Sequence, residues 1–143
     1  MKRTKRVLIV EDNAGDVVLI TEALCINEGC DIKVINNGED AIKFLKLEDD
    51  YVNETLPDLI LLDLNLPKAD GKEVLHFIKN DDALKRIPVV ILTTSSLQND
   101  ITYSYNNHAN CYIVKPGNLK DFINAINSIE NFWINCVTYP KKN

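Results

Sequence analysis

Leu59-Ile60-Leu61-Leu62-Asp63-Leu64-Asn65 is the stretch on which the fold turns. Four apolar residues without a polar break suit a strand covered on both faces, as in a parallel sheet; a strand with one wet face would alternate. The run stops at a carboxylate, which puts Asp63 at the carboxyl end of that strand. Outward from it, similar short runs rich in β-branched residues recur at 7–10, 32–35, 89–92 and 112–114.

Between the runs the apolar residues change to helical spacing. Val17, Ile20 and Leu24 follow the first run, Ala41, Ile42 and Leu45 the second, and Val74, Leu75 and Ile78 the third. Residues 98–108 are polar, with Ile101, Tyr103 and Tyr105 as their large apolar groups, and predict a short or mobile fourth helix. Leu119, Phe122, Ile123, Ile126, Ile129 and Trp133 fall on one stripe behind Asn118, a residue suited to cap the fifth. Strands alternating with helices predict an α/β fold: a doubly wound, five-stranded parallel sheet of flavodoxin-like order 2-1-3-4-5, with helices on both faces. The expected division is one domain over 1–133 and a C-terminal extension over 134–143. That extension carries Val137, Tyr139 and Pro140, and either covers the domain's own surface or helps a partner dock. Residues 47–57, with Glu48-Asp49-Asp50 and Asn53-Glu54, exceed an ordinary helix-to-strand loop and predict a surface excursion.

Composition narrows the function. A chain of 143 residues, 45% hydrophobic and 26% charged, can bury one core. A formal charge of −5, with no basic stripe interleaved with aromatics, argues against direct nucleic-acid binding. The basic start from Met1 to Arg6 is followed by only four apolar residues before Glu11-Asp12, too few for a secretory segment. No stretch is long enough to span a bilayer, so a cytoplasmic protein is expected. The four cysteines, Cys25, Cys30, Cys111 and Cys136, lack C-x-x-C spacing and are expected to be reduced structural thiols.

In a doubly wound sheet the site forms outside the carboxyl ends of the strands. Here those ends read Glu11-Asp12, Asp63-Leu64-Asn65, Thr93-Thr94 and Lys115-Pro116. The strand order brings Glu11, Asp12, Asp63 and Thr93 onto adjacent loops, with Lys115 arriving from the next strand. Three carboxylates in one pocket repel one another unless a cation is present. A hard divalent ion such as Mg²⁺ accepts one or two carboxylates with carbonyls, waters and phosphate oxygens. Asp63 can then attack phosphorus and form an aspartyl phosphate. Lys115 and the ion offset the charge on the transferring oxygens, and the Thr93 hydroxyl can donate to one of them.

The ordered set Glu11-Asp12, Asp63-x-Asn65-x-Pro67, Gly71, Thr93, Lys115-Pro116 resembles the receiver domain of two-component response regulators over roughly residues 5 to 130. The resemblance implies that Asp63 accepts a phosphoryl group from a histidine kinase. It implies that Asp12 coordinates Mg²⁺ with Glu11 assisting, and that Asn65 offers the ion its backbone carbonyl. Thr93 then matches the switch hydroxyl, Lys115 the phosphoryl partner, Tyr112 the aromatic switch, and Pro116 the position following a cis peptide. Glu11 departs from the usual Asp-Asp pair by one methylene. The long connection before the third strand, the segment 66–73 and the apolar tail are similar to single-domain regulators that accompany phytochrome-type kinases. A homodimer through the last strand, helix and tail is a further implication. So is a signalling phosphoacceptor, rather than an enzyme, with Mg²⁺-dependent self-phosphorylation and slow autodephosphorylation. With no second domain after residue 143, output is expected to pass through a downstream protein or relay partner.

Plainer readings stand beside these. Glu11 and Asp12 can cap the first helix, Asp63 can be a buried structural carboxylate, and Lys115 can be a solvated strand end. Tyr112 divides evenly between switching and packing with its hydroxyl wet. His76 is expected to be exposed, and neither it nor His108 draws a role. An aspartyl phosphatase needs an acid two residues beyond the nucleophile, where Asn65 stands. A flavodoxin-like electron carrier would have its FMN phosphate repelled by Glu11-Asp12, and a purely structural protein leaves the acidic group unexplained.

Overall fold

The computed structural model describes residues 4–24 and 29–141. Five strands, β1 (Arg6–Val10), β2 (Asp31–Ile35), β3 (Leu59–Leu62), β4 (Val89–Thr93) and β5 (Cys111–Val114), form one parallel sheet in the order β2-β1-β3-β4-β5. Helices α1 (Ala14–Ala23), α2 (Gly38–Leu45), α3 (Gly71–Lys79), α4 (Gln98–Asn106) and α5 (Leu119–Ile129) connect them. This is the flavodoxin-like α/β arrangement that the sequence predicts. No helix among the described residues is long and apolar enough to cross a membrane.

Alternation along the central strands divides the core in two. Leu8 and Val10 of β1, with Ile60 and Leu62 of β3, face Ala41, Phe44 and Leu45 of α2 and Val74, Leu75 and Ile78 of α3. Val7 and Ile9, with Leu59 and Leu61, face Ile20 of α1 and Phe122, Ile126 and Ile129 of α5. Every residue of β3 is buried, which is why its sequence shows no polar break. The side chains of Asn13, Asn37, Asp70 and Asn118 accept from backbone N–H groups in the first turns of α1, α2, α3 and α5.

Several expectations change. The fourth helix is formed, but buries only Ser104, and His108 closes it at φ 68°. The stripe on α5 fails at Leu119, which is 59% exposed, because the helix begins beyond the sheet that would cover it. Residues 47–57 are more than a surface excursion. A 3-10 turn at Asp49–Tyr51 sets the Tyr51 ring edge-on to Phe44, with centroids 5.4 Å apart. The tail folds back on its own domain. A π-helical turn, Glu130–Ile134, buries Ile134 in the α5-side core, where Lys5 Nζ donates to its carbonyl and the Tyr139 hydroxyl donates to the Trp133 carbonyl. Cys30 is in a disulfide, against the expectation of four reduced thiols, while Cys111 and Cys136 are free. Motif spacing registers metal sites but not the proximity that makes a disulfide. The expectations for Cys25 and for Met1 to Arg3 lie outside the described residues.

Candidate functional site

The parallel ladder sets the site's backbone. Glu11 N donates to Ile35 O and Asp63 N to Val10 O, each at 3.0 Å, so both carboxylates leave the sheet at the ends of neighbouring strands. The first residue of α3 must be glycine, because a Cβ on Gly71 would lie 2.2 Å from the Asp63 carbonyl oxygen. Oxygens of Glu11, Asp12 and Asp63 lie within 4.8 Å of one another, Glu11 and Asp63 buried and Asp12 exposed.

Lys115 closes the group from β5. Its Nζ donates to Glu11 Oε1 at 2.5 Å, Asp16 Oδ2 at 2.8 Å and Asp63 Oδ2 at 3.1 Å, with its side chain 4% exposed. A solvated strand end is therefore excluded. Burial alone would lower the proton affinity of this ammonium, but the hydrogen bonds to Asp16 and Glu11 and the charges of Asp63 and Glu11 outweigh it and raise it. Burial drives Glu11 the other way, lifting its carboxyl from 4.5 to about 7 against the pull of Lys115. Helix capping falls to Asn13, whose side chain takes the Asp16 N–H at 2.9 Å, while Glu11 Oε2 accepts from Asn13 N at 3.1 Å.

Asp63 Oδ1 accepts from the Asn65 backbone N–H at 3.0 Å. The Asn65 amide reaches Thr94 Oγ1 at 3.3 Å and Thr93 Oγ1 at 3.5 Å. Thr93 is wholly buried at the end of β4, and Thr94 is exposed beside it, lining a hollow with Asp16 and Lys115. Tyr112 is half-buried, and its hydroxyl donates to Ser95 O at 2.9 Å rather than to water. Ser95 Oγ in turn donates to Asp100, which pairs with Lys72 at 2.6 Å across α3 and α4. The Lys115–Pro116 bond is trans, against the expected cis isomer. Trans is ordinarily the cheaper form of such a bond by about 0.5–1 kcal/mol. His76 is exposed, as expected.

Sequence reasoning missed Asp16, the second-nearest partner of Lys115. An acid in a first helical turn is already explained by the helix dipole, so it draws no notice. Its signal was its place four residues after Asp12, on the helix that leaves the acidic loop.

The profile of the response regulator receiver domain matches residues 7–127. The response regulator Rcp1 of Synechocystis sp. is 46% identical over 137 residues, covering 95% of this chain and 93% of that protein. The crystal structure of the phosphorylated cyanobacterial phytochrome response regulator RcpA superposes with a TM-score of 0.95 at 46% identity, covering 97% of this chain and all of the other. The Mn²⁺-bound form of Rcp1 gives 0.94 at 46% identity, with 96% and 99% covered. On its sequence, its strand order and this likeness, the chain belongs to the response regulator receiver domain family.

Proposed function

We propose that the chain is a single-domain response regulator of a two-component phosphorelay, in which Asp63 accepts a phosphoryl group from a kinase phosphohistidine. The observation that carries this reading is the Lys115 ammonium from β5, held against Glu11 and Asp63 at the ends of β1 and β3. A carboxylate nucleophile has no proton to lose and needs no base. The Asp63 oxygen forms the new O–P bond while the donor's N–P bond breaks, the electron pair leaving on the imidazole nitrogen. Lys115 keeps one donor towards the acceptor oxygen, and the Asn65 backbone N–H fixes the other oxygen, so the nucleophile is oriented.

The acidic group suits a divalent ion, because three carboxylates with oxygens this close and one shared ammonium retain excess negative charge. Asp12, Asp63 and the Asn65 carbonyl would hold Mg²⁺, with Glu11 assisting. When bound, the ion would neutralise charge on the transferring oxygens. The Mn²⁺-bound relative supports this reading. Thr93 would donate to the phosphoryl group and Tyr112 would leave Ser95 as the loop between β4 and α4 moves, altering a protein-binding surface. The domain of 1–133 and the extension of 134–143 would act as one body, since Ile134 is 1% exposed.

The likeness to a phytochrome response regulator favours a phytochrome-type histidine kinase as donor, in the cytoplasm, with a downstream protein or phosphotransfer partner. Val114, Leu119 and Phe132 are exposed apolar groups on β5, α5 and the π-helical turn that leads into the tail, and suit a homodimer face. Acetyl phosphate with Mg²⁺ should add an alkali-labile phosphoryl group, read by intact mass, and Asp63→Asn should abolish it. Equal labelling of the variant would overturn the assignment.

A further inference from the structure

We propose that Asp16 is the positioning residue that keeps the Lys115 ammonium at the acceptor once an ion is bound. The inference rests on reading Asp63 as the acceptor and goes beyond it. An ammonium has three N–H donors, and here each has one carboxylate: Glu11 at 2.5 Å, Asp16 at 2.8 Å and Asp63 at 3.1 Å. Two of those carboxylates, Glu11 and Asp63, also belong to the trio whose oxygens gather within 4.8 Å, and Asp16 does not. A divalent ion among the trio competes with Lys115 for Glu11 and Asp63, and the two cations repel. Asp16 is the anchor that such loading leaves intact.

Its place in the fold suits that task. Asp16 comes from α1 rather than from a strand end, and its backbone N–H is held by the Asn13 cap at 2.9 Å. Its carboxylate is 22% exposed and shares with Thr94, Lys115 and Pro116 a hollow opening to solvent beside the acidic group. The Lys115 side chain is 4% exposed, so an ammonium whose partners have turned to an ion needs another anion at that depth. Without Asp16 it would follow the hollow outward and away from Asp63.

Beryllofluoride, a phosphoryl mimic, provides the test in saturating Mg²⁺, with affinity read by calorimetry. Asp16→Ala should weaken its binding by about tenfold, as expected for one charge-assisted hydrogen bond at a partly exposed site. Asp16→Asn, whose amide oxygen still accepts from the ammonium, should recover most of the loss. On a Lys115→Met background Asp16→Ala should have no further effect, because the residue acts through the ammonium. Mg²⁺ affinity alone should change by less than about threefold, as Asp16 is partly solvated. In the metal-free protein the Lys115 ammonium protons should exchange faster with water when Asp16 is removed, seen by ¹⁵N NMR. Parent-like binding by Asp16→Ala, or an equal loss on the Lys115→Met background, would overturn this inference alone. A parent chain that does not bind beryllofluoride, or an Asp63→Asn chain that binds it equally well, would overturn the acceptor reading and this inference with it.

Discussion

Glu11 is where the site works against the fold, and its titration can be measured. It is 2% exposed, and burial lifts its carboxyl from 4.5 to about 7, with the nearby charge of Asp63 adding to the rise and the Lys115 hydrogen bond opposing it. Each tenfold change in proton affinity is worth about 1.4 kcal/mol. The ionised form therefore costs the metal-free folded protein about 3 kcal/mol relative to the protonated form. The folded state keeps this proton up to about pH 7, whereas the unfolded chain releases it near 4.5. Between those values the folded state binds more protons, so stability falls as pH rises through the window and levels off above it. Asp100, held low by its hydrogen bond from Lys72, contributes the opposite slope, but at the acid end. Urea unfolding followed by Trp133, the one tryptophan in the chain, in chelator at steps from pH 5 to pH 8, separates the two. The parent should lose up to about 3 kcal/mol across that range. Glu11→Gln should lack the slope and should exceed the parent at pH 8 by up to about the same amount. Saturating Mg²⁺ should remove that advantage. Equal slopes in parent and variant without the ion would refute the argument.

Two further outcomes concern packing. A Cβ on Gly38 would meet the Ala69 carbonyl oxygen at 1.9 Å, where the loop after β3 lies on the start of α2 through Gly38 N to Pro67 O, so Gly38→Ala should cost at least about 2 kcal/mol. Gly15, inside α1 with its nearest neighbour Asn13 Oδ1 at 3.4 Å, should by contrast gain about 0.5–1 kcal/mol as alanine, both changes being read by thermal melts. Glu130 is 4% exposed with Oε1 lacking a hydrogen bond among the described residues, so Glu130→Met should stabilise by about 1 kcal/mol in urea melts. A loss there would show that the carboxylate is compensated.

Much of the fold was legible because β1, β3 and β4 are covered on both faces and their side chains report it. The strand ends were less so. Arg6 pairs with Asp31 and Val90 with Cys111 through backbone ladders that take no account of hydropathy, so β1, β2 and β5 each begin one residue before their apolar runs and β4 ends one residue after its own. Periodicity also says which way a side chain points, not how far the sheet extends, which is why the apolar stripe includes Leu119 although it lies outside the core. The acidic group was legible for a topological reason: once the strand order is known, the residues following β1, β3 and β5 must converge. Asp16 belongs to no strand end, and its carboxylate reaches Lys115 from the first turn of α1, through packing rather than strand order.

That contact changes how the site balances. One buried ammonium faces four carboxylates, those of Glu11, Asp12, Asp16 and Asp63, and touches three of them. Among the described residues Lys115 is the cation that pairs with this group, and it is not enough to keep Glu11 ionised at neutral pH without cost. The rigid ladder and the close approach of Gly71 to the Asp63 backbone prevent the carboxylates from relieving their repulsion by moving apart. The repulsion held by that backbone is what an entering cation would relieve. For this reason the same substitution, Glu11→Gln, is expected to stabilise the metal-free protein and to weaken its hold on Mg²⁺; a variant that gained in both would mean that the site and the fold are not opposed at this residue.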